Sequence, residues 1–164
     1  MAFSSDGNMH PGTVVAATAR MAGTYLFRSF KLNLTGVQAG HAVLSAPANE
    51  QAPVLIRIAA AIVATFNITL DNSQAAMPNE PRHEPRLPFL ETQRLLEPIF
   101  RAITDPSGMS DYEGARAAAV AAALLISQCA KVMEPHTGFR ITSYGIIEGS
   151  KTAPDPVQFP HSAI

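Results

Sequence analysis

Apolar residues recur at helical spacing in four stretches of the chain. In the first, Val14, Thr18, Met21 and Tyr25, with Val15, Ala22, Leu26 and Phe30 beside them, fall three or four apart from Pro11 to about Leu32. That is the period of a helix and not of a strand. Pro11 or Gly12 suits its first turn, where a missing amide leaves no bond unmade, and Gly36 and Gly40 bracket the break that follows. Arg20, Thr24, Arg28 and Lys31 form one narrow polar stripe on this cylinder. Such a stripe is ordinarily the wet side of a helix that is otherwise covered.

A second stretch opens near residues 48–53 and runs through Val54, Leu55, Ile58, Ile62, Thr65, Phe66 and Ile68 to about Leu70, with Asp71-Asn72-Ser73 as its stop. Its β-branched content admits a strand. A run of about seventeen residues without a turn residue is too long for one, however, and Ala59-Ala60-Ala61 favours helix. The third stretch, 89–103, keeps phase as Phe89, Leu96, Ile99, Phe100 and Ile103, with Pro98 inside it; a kink or two short helices is expected. Ser110-Asp111-Tyr112-Glu113 then spells a capping box. The helix it opens continues through Ala117, Val120, Ala121, Leu124, Leu125 and Gln128 to about Met133, with Lys131 near its negative end and Pro135 and Gly138 beyond. Its alanines leave little bulk on any side, so close packing and a central position are predicted.

Between these stretches the pattern lapses. Residues 77–88 carry prolines at 78, 81, 85 and 88, which forbid regular helix or central strand and predict an extended connection. Residues 139–147 are rich in β-prone types with partial alternation, which predicts a short strand or extended segment, able to pair with its counterpart in another copy. From Lys151, Pro154, Pro156 and Pro160 mark an extended or disordered tail over 151–164. The expected fold is mainly α: a single domain over 1–164, a bundle of four to six helices with a Pro-rich mid-chain connection and a short C-terminal extended or β segment. Segments 12–32, 54–70 and 111–133 are expected to hide nearly all their sides from water.

Composition sharpens this picture. Hydrophobic residues make up 47% of the 164 and charged residues only 15%, against roughly 25% in an average domain. Self-association, most simply a homodimer, would cover such a surface. Twelve Lys and Arg against thirteen Asp and Glu, net −1, supply no field for nucleic acid or an anionic membrane surface. The stretches 54–70 and 115–133 approach the length of a membrane span, but Arg57 and Asn67 interrupt one, and Arg116, Gln128 and Lys131 the other. No membrane partner is expected. The single Cys129 makes no internal disulfide, and no positive leader precedes the first apolar stretch, so a cytoplasmic setting is expected.

Candidate chemistry is sparse. Glu80-Pro81-Arg82-His83 has the Glu-x-x-His spacing of di-iron bundles, yet Pro81 denies it a helix. His10, His41, His83, His136 and His161 stand at no ligand spacing and are expected at solvent-facing or terminal positions; no metal and no cofactor is predicted. Cys129 falls late in a helix, where an inert thiol is usual. There is no nucleophile elbow and no phosphate loop. Arg82 to Pro88 fits a basic-x-x-Pro-x-x-Pro pattern, which a linker of this composition produces readily by chance. Arg57 stands out as a lone cation in an uncharged stretch and must face solvent, meet a carboxylate or bind an anion. Two functions follow. One is a non-enzymatic helical homo-oligomer in contact through its Ala-rich helices and C-terminal segment. The other is a small-molecule binder or enzyme with a pocket between helices, holding a possibly anionic ligand with Arg57, Arg20, Arg28, His83 or Glu84.

Overall fold

The computed structural model describes residues 4–5, 8–70 and 81–156; the stop at 71–73, Glu80 and the end of the tail lie outside the described residues. The protein is mainly helical, a bundle within the expected four to six helices. Two short strands, β1 (Ser4–Ser5) and β2 (Asn8–Met9), pair antiparallel and lead into α1 (Pro11–Ser29). Then come α2 (Ala46–Ala64), a 3-10 turn (Pro81–His83), α3 (Phe89–Thr104), α4 (Asp111–Cys129) and α5 (Pro135–Lys151). Among the described residues no helix is long and apolar enough to cross a membrane.

The centre belongs to α1, not to the Ala-rich α4. From Gly12 to Phe27 every residue of α1 except Val14 is buried, and it packs on α5, α4, α3 and α2 in turn. The reason is area. Met21, Tyr25 and Leu26 bring bulk that must leave water, whereas an alanine offers little apolar surface to hide. Accordingly α4 buries one side only, through Ala115, Ala118, Ala119, Ala122, Ala123 and Ile126, and leaves Glu113, Arg116, Leu124 and Gln128 in solvent. α2 likewise buries a single seam of Ala48, Ala52, Leu55, Ala59 and Val63. Only the first of the three rods expected to be enclosed is enclosed.

Two boundaries move for identifiable reasons. α2 begins at Ala46 and ends at Ala64, earlier than predicted at both ends, because the Ser45 hydroxyl accepts from the Ala48 amide at 3.3 Å and Pro47 sits in the first turn. Asn67, at φ +57, lies past its end. α3 runs unbroken through Pro98. Residues 139–147 are helical, as part of α5, and the extended piece lies just beyond, where Thr152 bridges Ala42. Here packing overrides β propensity: Gly138, Ile141, Thr142, Gly145, Ile146 and Gly149 recur three or four apart and line the buried side of α5.

That side meets α1 at backbone distance. A methyl added to Gly149 would lie 2.4 Å from the Arg20 carbonyl oxygen, and one added to Gly23 would lie 2.5 Å from that of Ile146. Glycine is therefore required at both positions for the two main chains to touch. Around this crossing, Met21, Tyr25 and Leu26 gather Leu55, Ala119, Ala122 and Ile146 into one core cluster, while Val15, Val63, Ile126 and Ile141 make a second further toward the start of α1.

Candidate functional site

The polar stripe of α1 is not its wet side. Arg20, Thr24 and Arg28 face inward onto α3 and α5, and each guanidinium meets a carboxylate. Arg20 donates from Nε to Glu148 at 2.6 Å and from Nη1 to the Leu87 carbonyl at 2.6 Å and the Thr92 hydroxyl at 3.2 Å. Arg28 grips Glu97 with two nitrogens, Nη2 at 2.8 Å, and gives a further bond of 2.6 Å to the Asp155 carbonyl. Glu97 is only 1% exposed. It also accepts from Gln93 Nε2 at 2.6 Å and lies 3.6 Å from Arg101, so the buried charge is compensated on three sides.

Arg101 extends the seam. It binds Asp111 at 2.6 Å, and its guanidinium carbon stands 4.5 Å from the centre of the Tyr25 ring. Burial works against the charge on Arg101, but the hydrogen bond it donates to Asp111 and its acidic surroundings hold its pKa above the ordinary value. Burial also pushes the Tyr25 phenol up, although its bond to Thr104 at 2.9 Å opposes the shift.

This places Thr92, Gln93, Glu97 and Thr104 of α3 inward, beside the buried Phe89 and the partly buried Leu96 and Phe100 that pack on the core. Its outer side carries the exposed Glu91 and Arg94 together with an apolar stripe. Leu95, Ile99 and Ile103, spaced four apart, are 42%, 57% and 65% exposed. α3 thus splits its apolar residues, Phe89, Leu96 and Phe100 toward the core and Leu95, Ile99 and Ile103 toward solvent, while its buried polar residues satisfy the charged stripe of α1.

The connection 81–88 is fastened to α1 by its main chain. His10 caps α1 by accepting the Thr13 amide at Nδ1, 3.1 Å, and donates from Nε2 to the Arg82 carbonyl, 2.7 Å. The Arg86 amide donates to the Thr13 hydroxyl at 3.0 Å, and a methyl on Gly12 would lie 1.9 Å from the His83 carbonyl oxygen. His83 and Leu87 are buried, so the proline motif is docked. His10 and His83 are interior histidines, contrary to the expectation of solvent-facing positions; His41 is exposed and His136 half-buried.

Of the five residues predicted from sequence, the fold brings two together. Arg20 and Glu84 line one surface cleft of about 270 Å³ with Pro85, Ile141, Tyr144 and Glu148. Arg28 lies further along α1, His83 is inside the 3-10 turn, and Arg57 is exposed on the outer side of α2. Glu97 and Gln93, which organise the seam, escaped the sequence reading. Their signal was the spacing Gln93, Glu97, Arg101, which repeats the period of Arg20, Thr24, Arg28. Among the described residues no cluster of His, Cys, Asp or Glu has the arrangement of a metal site. Cys129 is half-buried, and burial raises its thiol above the ordinary range, away from a reactive thiolate.

Comparison with protein-family models, with curated proteins and with solved structures finds no match to this chain.

Proposed function

We propose that the chain is a non-enzymatic helical protein that works as a homodimer, with the outer face of α3 as the two-fold seam. The observation that carries this reading is the stripe of Leu95, Ile99 and Ile103 in solvent on a helix whose polar face is already engaged. In an antiparallel pairing centred on Ile99, Leu95 of one copy meets Ile103 of the other, and Glu91 falls opposite Ser107. A parallel pairing would set Glu91 against itself, which like-charge repulsion disfavours. A seam of one helix per copy is small, so the association is of the weak, concentration-dependent kind. Ala115, Ala118, Ala119, Ala122 and Ala123 of α4 are buried within the bundle, which leaves Ala117 as the exposed alanine of that helix and favours α3 over α4 as the contact. Light scattering across micromolar concentrations should show a dimer that Ile99→Asp converts to a monomer of unchanged helicity. A wild-type chain that stays monomeric throughout removes the reading.

A second reading, a small-molecule binder, draws support from the meeting of Arg20 and Glu84 in one cleft. Arg20 is already paired with Glu148, and an anion would face two carboxylates there, so the cleft favours a ligand carrying an ammonium group. Thermal stabilisation by small amines that Glu84→Gln abolishes would support it; stabilisation by none of them would end it.

A further inference from the structure

The segment after α5 is held in an unusual way. Thr152 to Pro156 run extended, and on one side pair main chain to main chain with the 40–43 connection. The Ala153 amide donates to the His41 carbonyl at 2.9 Å, the Gly40 amide to the Ala153 carbonyl at 2.8 Å, and the Val43 amide to the Lys151 carbonyl at 2.7 Å. On the other side the Gln93 side chain acts as a strand would: Oε1 accepts the Asp155 amide at 2.9 Å and Nε2 donates to the Asp155 carbonyl at 3.1 Å. Arg28 adds its bond to the same carbonyl.

Glu97 makes this grip possible. By accepting from Gln93 Nε2 and holding Arg28, the buried carboxylate fixes which end of the Gln93 amide faces the segment. Side-chain recognition is modest by comparison: Ala153 and Pro154 are buried, and Arg94 pairs with the Asp155 carboxylate. A segment that merely filled a hole would be held by bulk. This one is held by its backbone, with a small residue, a proline and an acid as its only letters, which is the manner in which extended peptides are recognised.

We propose that the groove between α3, the end of α1 and the 40–43 connection is a peptide-binding site, filled in cis by residues 152–156. Its alternative occupant is an extended segment of a partner protein with the sequence chemistry small residue–proline–aspartate. The tether gives the cis segment an effective concentration in the millimolar range, so a partner enters only when the cis segment is weakened or outcompeted.

The test uses the full chain and a fluorescent peptide of sequence Lys-Thr-Ala-Pro-Asp-Pro. Ala153→Glu puts a charged side chain into a position only 1% exposed, which evicts the cis segment and leaves the groove intact. Asp155→Pro weakens the same latch from its exposed end, by removing the amide that Gln93 accepts, and serves if Ala153→Glu fails to fold. Fluorescence anisotropy should show saturable binding to either variant at least tenfold tighter than to wild type. Adding Gln93→Leu, or reversing the peptide's aspartate to lysine, should lower that binding at least tenfold while helicity is retained. Equal affinity for wild type and both latch variants, or indifference to Gln93→Leu, overturns the proposal.

Discussion

α1 meets α5 and α3 by opposite means. Against α5 it offers Ala16, Ala19 and Gly23, and the contact is chiefly one of shape, main chain on main chain, with the Arg20–Glu148 ion pair beside it. Against α3 it offers Arg28, and the contact is one of charge, with Glu97 buried between guanidinium groups. A shape contact tolerates no added atom but needs no partner chemistry. A charge contact tolerates some slack but fails when one member is removed and the other stays. One helix can therefore be the core of the fold and still carry polar residues, provided each guanidinium finds a carboxylate on the neighbour it faces, Glu148 of α5 for Arg20 and Glu97 of α3 for Arg28.

The most severe way to break the shape contact is Gly149→Val. The new side chain would begin 2.4 Å from a main-chain oxygen, so the helices themselves must part. A loss of about 4 kcal/mol or more is expected, at the upper end of overpacking effects, read as a collapsed denaturation midpoint. The charge contact should respond differently. Glu97→Met alone leaves Arg28 without its carboxylate and is expected to cost about 2–4 kcal/mol, reduced from a fully buried case because Arg28 keeps partial solvent contact. Arg28→Met together with Glu97→Met should cost less than Glu97→Met alone, and urea denaturation of the three proteins measures the difference. If the double variant is the worst of them, the seam is held by shape after all.

The smallest effect lies outside both contacts, at the capping box of α4. There the Ser110 amide and hydroxyl donate to Glu113 and hold its carboxyl below the ordinary glutamate value. A depressed folded-state pKa means that stability is gained above the unfolded value and lost as pH falls through the folded one. The melting temperature of wild type should therefore exceed that of Glu113→Gln at neutral pH, and the gap should close in acid. A gap that does not change with pH would show that the carboxylate charge contributes nothing to the cap.

Much of the fold is legible in the sequence. The period of α1 and the capping box of α4 are local signals, and local signals survive in a single sequence. α5 was not legible as a helix because its β-prone residues carry the wrong propensity, and its correct period is set by glycines whose value appears only when α1 lies across them. The site was half legible. Arg20 and Arg28 were recognised as a stripe, but their exposure was misjudged. Gln93, Glu97 and Arg101 share α3 with Leu95, Ile99 and Ile103, and hydrophobicity alone turns those three inward along with Phe89, Leu96 and Phe100, which do face the core. Arg57, the most conspicuous cation in the sequence, turned out to face water, as a lone charge on a one-sided helix can do freely.

The arrangement of α1 and α5 also bears on how the chain is made. The helix most completely hidden in the finished protein finds its tightest neighbour more than a hundred residues downstream. At ribosomal speeds of about 5–20 residues per second, that is a wait of roughly ten seconds. During it, a rod with Val15, Met21, Tyr25 and Leu26 on its sides has first α2 and then α3 and α4 to lie against, while the side that meets α5 stays open. Newly made chains should be at their stickiest before α4 emerges, and that last side of α1 should stay available to a chaperone until α5 follows.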